Sequence, residues 1–109
     1  MQGVLIKADK QRLLRYGTNA FCVMEELTGK SVMELNNGAG LLEIRAMLYS
    51  GLYWEDKELT LDKAGDMLDE FIRKDELDYI TEKIGEATEQ ALGAKKAKGK
   101  KFKKKKRRR

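Results

Sequence analysis

"TNAFCVMEELTGKSVMEL", residues 18–35, reads as a short helix, a glycine stop and a fresh helix start. Phe21, Met24 and Leu27 fall on one face, so the first helix turns an apolar side inward. Thr18 or Asn19 is positioned to cap its N-terminus. Gly29 ends it, because glycine takes up the left-handed backbone without steric cost. "SVME", residues 31–34, has the form of a capping box, in which Ser31 accepts from the amide three residues on and Glu34 reaches back. Loss of that serine costs about 1 kcal/mol. A helix that stops and restarts this quickly commits the chain to several short helices.

The flanking segments extend the pattern. Upstream, "VLIKADKQRLLRYG" (4–17) places two short runs, Val4 to Lys7 and Arg12 to Tyr16, around a polar centre. A β-hairpin is expected, with Asp9 and Lys10 in the turn, although the turn lacks Asn-Gly or Asp-Gly. Such a ribbon is marginal in water unless a helix covers one face. Downstream, "NNGAG" (36–40) reads as a loop, and Leu41, Ile44, Leu48 and Leu52 return to helical spacing. Thr60 caps the next helix, with Asp62 favourable to its dipole and Leu59 able to staple against Ala64. Leu61, Ala64, Leu68 and Phe71 or Ile72 form its buried stripe. Leu77, Ile80, Ile84, Ala87 and Ala91 form that of the last helix, which Gly93 ends. The fold class is α+β, mostly helical: a small N-terminal β-hairpin packed on about four short helices.

Charge divides the chain. It carries 23 Lys and Arg against 18 Asp and Glu, a formal +5. Residues 94–109, "AKKAKGKKFKKKKRRR", hold 12 of the basic residues and no acid, which leaves residues 1–93 with 11 basic against 18 acidic, or −7. The expected organisation is an acidic helical domain over 1–93 followed by a Lys/Arg-rich tail over 94–109. With Phe102 as its one aromatic, that tail buries too little apolar surface to offset its ordering entropy and is expected to be disordered. A domain of this length buries somewhat more than roughly 60% of the surface of its extended chain, enough for one core without metals. Cys22 is the one cysteine, so no internal disulfide is available, and a free thiol fits a reducing compartment. No apolar run reaches the roughly 20 residues of a membrane span, and "MQGVLIKADKQR" lacks the apolar length of a secretory signal. A soluble intracellular domain is expected.

Catalysis has little to stand on. Histidine, the commonest general base near neutral pH, does not occur. Cys22 lies beside Phe21 and Val23 and reads as a buried structural cysteine, with no imidazole to activate it. Glu25–Glu26 and Asp69–Glu70 are sequence neighbours and point about 100° apart on a helix, as solvated faces do. "NNGAG" lacks the lysine and preceding strand of a phosphate loop. Asp62, Asp66 and Asp69 share a helix face without the spacing of a metal motif. No catalytic, cofactor or metal residue is assigned, and a non-enzymatic protein is expected.

Four groups of residues carry a resemblance. They are Tyr16, Gly17, Asn19 and Ala20; Glu25, Glu26, Gly29, Lys30 and Ser31; Arg45, Leu48, Gly51 and Leu52; and Leu59, Thr60 and Gly65. In this order and spacing, over about residues 3–92, the chain resembles the tail assembly chaperones of long-tailed bacteriophages and related gene transfer agents. Ser50, where the family usually has a residue such as Ala before Gly-Leu, is a departure, and "IRAML" with Ile44 ahead of the arginine fits the pattern loosely. The resemblance implies a non-enzymatic factor in the host bacterial cytoplasm, not expected in the mature virion. It would bind the tape measure protein and recruit tail tube protein, with self-association possible and no membrane contact. In many members a fraction of chains is extended by ribosomal frameshifting, which adenine-rich lysine codons favour.

A tape measure is a long helical protein, and a small domain with an apolar groove suits an amphipathic helix. The aromatic run "LYSGLYW" supplies the candidate partner-binding residues Tyr49, Tyr53 and Trp54, since large amphipathic rings are enriched at interface hot spots. The same residues also fit a structural role in which Trp54 and one tyrosine close the core between two helices, and a domain this small favours that role. For the tail, Lys95, Lys96, Lys98, Lys100, Lys101, Lys103, Lys104, Lys105, Lys106, Arg107, Arg108 and Arg109 are candidate contacts to a polyanion or an acidic partner. Three roles stay open for them: nucleic-acid binding with counterion release, docking on an acidic face, or solubility alone. A small nucleic-acid-associated regulator acting through this arm is the alternative function.

Overall fold

A computed structural model describes residues 3–93. The disorder expected of 94–109 and the candidate contacts there lie outside the described residues. Two strands, β1 (Val4–Lys7) and β2 (Gln11–Leu14), precede five helices: α1 (Thr18–Thr28), α2 (Val32–Asn36), α3 (Leu41–Leu52), α4 (Leu61–Arg73) and α5 (Leu77–Leu92). The α+β class with an N-terminal antiparallel hairpin is therefore observed.

The hairpin pairs Val4 with Leu14, Leu5 with Leu13, Ile6 with Arg12 and Lys7 with Gln11. Alternation then sends Val4, Ile6, Arg12 and Leu14 to the buried face. Residues 8–10 form the turn, where the Ala8 amide donates to the Lys10 carbonyl at 3.0 Å. The ribbon is held from outside as well: the Gly3 amide donates to Gln90 Oε1 and the Lys7 amide to the Tyr79 hydroxyl, both on α5.

Arg12 is a buried charge, with 6% of its side chain exposed. Asp9 accepts from its Nε at 2.7 Å and from Nη2 at 2.9 Å, and Asp56 accepts from Nη1 at 3.2 Å. The guanidinium thus ties the hairpin turn to the segment between α3 and α4. Its hydrogen bonds hold the Asp9 and Asp56 carboxyls below the usual carboxylate range.

Helix α3 is central: α1, α4, α5 and β2 all pack on it. Leu48 and Leu52 are fully buried there, with Ile6, Leu14, Met24, Ile80 and Ile84 around them. Gly51 is the point of closest approach. A Cβ there would lie 2.6 Å from Leu14 Cδ1 and 2.7 Å from Tyr16 Cζ, so only a hydrogen fits. Tyr16 lies under the hairpin with its hydroxyl donating to the Met47 carbonyl. Burial pushes its phenol far above the ordinary value, so it stays neutral.

The helix signals are mostly kept. Gly29 is left-handed at φ 73° and closes α1, while Ser31 and Glu34 form the capping box of α2. Thr60 accepts from the Lys63 amide at the start of α4, and Leu59 and Ala64 flanking that turn are both buried. Other expectations need correction. The cap of α1 is Gly17, with neither Thr18 nor Asn19 in that place, because the chain stays extended through Gly17 to send Tyr16 into the core. Asn36 belongs to α2, which shortens the loop to 37–40. Leu27, Leu41 and Ile72 are 37%, 54% and 43% exposed, while Met67 and Phe71 take the inner positions on α4. A three-residue step rotates a helix by about 300°, so Phe21 and Leu27 flank the inward line through Met24.

Two outcomes are expected. Gly51→Ala forces overpacking and lowers stability by about 1–3 kcal/mol, read by urea denaturation; an unchanged midpoint would contradict the packing. Because the Asp9 and Asp56 values are depressed in the fold, their contribution is full above about pH 4 and is lost as pH falls through the folded values. Arg12→Met should flatten the decline of stability below about pH 4, and an identical pH slope in both proteins would count against the ion pair.

Candidate partner-binding surface

The C-terminal end of α3 presents the aromatic run, and the structure divides it in two. Tyr49 and Tyr53 stand one turn apart with ring centroids 5.3 Å apart, and Lys57 Nζ lies 4.7 Å from the Tyr53 centroid. Tyr49 is half-buried and leans on the core, whereas Tyr53 stands outside it. Trp54 follows the end of the helix and meets a different partner. The Arg15 guanidinium carbon sits 4.7 Å from the Trp54 ring centroid, a cation–π contact. What aligns the pair is the backbone, since the Arg15 amide donates to the Gly51 carbonyl at 3.0 Å and caps α3.

Trp54 therefore does not close the core. It is half-buried and stands apart from the main apolar cluster. Tyr16, stacked on Phe21 at 5.7 Å with ring planes 4° apart, fills that role for the hairpin and α1. Tyr16 lies at the edge of a strand segment and next to a glycine, and its adjacency to Gly17 was the available signal. Arg12, the buried cation, was also not anticipated; its position two residues before Leu14, on the same strand face, would have marked it.

Beside Trp54 lies a cleft of about 240 Å³ lined by Arg15, Tyr16, Gly17, Thr18, Asn19, Ala20 and Trp54. Its wall is the start of α1, whose cap residue has no side chain, and the first backbone bond of that helix runs from the Phe21 amide to the Gly17 carbonyl. The amides of the first turn are consequently open donors. Trp54 Nε1 is buried without an acceptor among the described residues. The cleft is apolar in area and donor-rich at its edge.

A second ionic clamp holds the opposite end of α3. Glu43 accepts from the Gly40 amide at 2.6 Å and pairs with Lys30 Nζ at 2.9 Å. The Lys30 contact and then the Gly40 amide keep its carboxyl below the ordinary value. Ser50 buries its hydroxyl by donating to the Ala46 carbonyl at 2.7 Å.

The described residues hold no cluster of three or more His, Cys, Asp or Glu side chains able to share a metal ion. No helix among them is long and apolar enough to cross a membrane. Cys22 corrects an expectation: its thiol is exposed, because it lies about 200° around α1 from buried Met24. In the native protein Ellman's reagent should label Cys22 completely without denaturant; labelling that required denaturant would contradict this placement. No protein-family model, curated protein or solved structure matches the chain.

Proposed function

We propose that this protein is a non-enzymatic phage tail assembly chaperone that binds the tape measure protein and recruits tail tube subunits. One observation carries the proposal: residues of separate resemblance motifs meet in space. Gly51 lies against Tyr16, and a Cβ at Gly65 would come within 3.2 Å of Arg45 Cδ. Three of the four sequence groups therefore meet in one packing arrangement, which supports treating their order and spacing as a single pattern.

The surface supports the same role. Tyr53 with Lys57, and Trp54 with Arg15, offer aromatic area backed by cations at the end of the central helix. Large rings whose rotamers are already held lose little entropy when a partner helix covers them. The host cytoplasm as the site of action follows from this role.

Co-expression with helical fragments of a tape measure protein tests the proposal. Soluble, co-purifying complex is expected, and Trp54→Ala should weaken its affinity by about tenfold or more, as for an interface hot spot. Fragments that stay equally insoluble with and without this protein would overturn it. So would sequence-selective binding of duplex DNA that survives raised salt, the behaviour of the alternative regulator.

A further inference from the structure

The open side of the α3–α4 pair carries a groove of about 680 Å³. Leu41 and Leu42, at the start of α3, are 54% and 60% exposed, and Ile72 on α4 is 43% exposed; all three line it. Asp62, Asp66 and Asp69 recur at spacings of four and three along α4 and form its rim. None of the three takes part in an ion pair among the described residues. Arg45 also lines the groove, and Arg73 on α4 acts electrostatically on Asp66 and Asp69 from outside it, so three carboxylates face two guanidinium groups and the rim keeps an anionic excess.

The occupant with complementary chemistry is in the same chain. Residues 94–109 hold 12 cations and a single aromatic, Phe102. They follow directly on α5, and Glu89, one turn before Gly93, lines a cleft together with Ala39, two residues before Leu41. The C-terminal half of α5 therefore shares a cleft with the loop that leads into Leu41 and the groove. The segment's sixteen residues span up to about 54 Å when extended, against a longest molecular dimension of 37 Å. Attachment gives an effective concentration of roughly millimolar, which favours the segment over the same segment of another molecule.

We infer that the cationic segment 94–109 docks in the α3–α4 groove of its own chain, with its ammonium and guanidinium groups against Asp62, Asp66 and Asp69 and the Phe102 ring against Leu41, Leu42 and Ile72. This assignment is independent of the chaperone role. A groove so filled is closed to competing partners until salt or a polyanion draws the segment away.

The test is paramagnetic relaxation in the full-length protein, with a nitroxide at Ala97→Cys in a Cys22→Ser background. At low salt the methyl signals of Leu41, Leu42 and Ile72 should broaden, while those of Leu5 on the hairpin stay sharp. Broadening should disappear at about 1 M salt, where the screening length falls to about 3 Å, and in the variant Asp62→Asn/Asp66→Asn/Asp69→Asn. Leu42→Ser, at an exposed position, should reduce it at Leu41 and Ile72 without touching the charges. Broadening that is absent, equal at Leu5, or unchanged in both variants would overturn the inference. Broadening seen only between separately labelled chains would place the segment on a second copy and equally overturn it.

Discussion

The fold depends on the contact between Tyr16 and α3. A two-stranded ribbon has little stability of its own, and here it is joined to the helical body along a seam at Gly51. The missing Cβ lets Leu14 and Tyr16 reach the helix backbone, the Arg15 amide caps the Gly51 carbonyl, and the buried phenol bonds the Met47 carbonyl. Apolar burial supplies the drive. The two backbone carbonyls supply direction, because a phenol desolvated without an acceptor would forfeit about 1–3 kcal/mol.

Charge acts at the edges of this seam. Arg12 enters the buried face of the ribbon, and a lone guanidinium there would be strongly destabilising. Asp9 and Asp56 surround it from the hairpin turn and from the segment after α3. The register matters as much as the energy: a one-residue slip of β2 would turn Arg12 to solvent and leave both aspartates without their donor. Glu43, bridging the Gly40 amide and Lys30, performs the corresponding task at the far end of α3. The central helix is therefore fixed at both ends by groups that come from other elements.

This division of labour leaves the outer surface free. Tyr16, Leu48, Gly51, Leu52 and Leu59 are inside and Gly29, Ser31 and Thr60 are at caps, where they specify packing. Tyr53, Trp54 and the exposed Leu41, Leu42 and Ile72 of the α3–α4 groove stand outside the core, positioned by that packing yet contributing little to it.

Helix caps and stops were legible in the sequence because they are local: Ser31 with Glu34, Thr60 with Lys63, and Gly29 each act within a single turn. The two runs of the hairpin were legible for the same reason. What only the tertiary structure decided are relations over long separations. Trp54 meets Arg15 across the chain, Arg12 meets Asp56, and Gly51 rather than another small residue receives Tyr16. Cys22 and Leu41 belong here too, since both stand in apolar company in the sequence yet face outward. A helical period gives the direction of a side chain relative to its own axis; whether a neighbour lies in that direction depends on the angles at which helices cross, and those are set by the whole core at once.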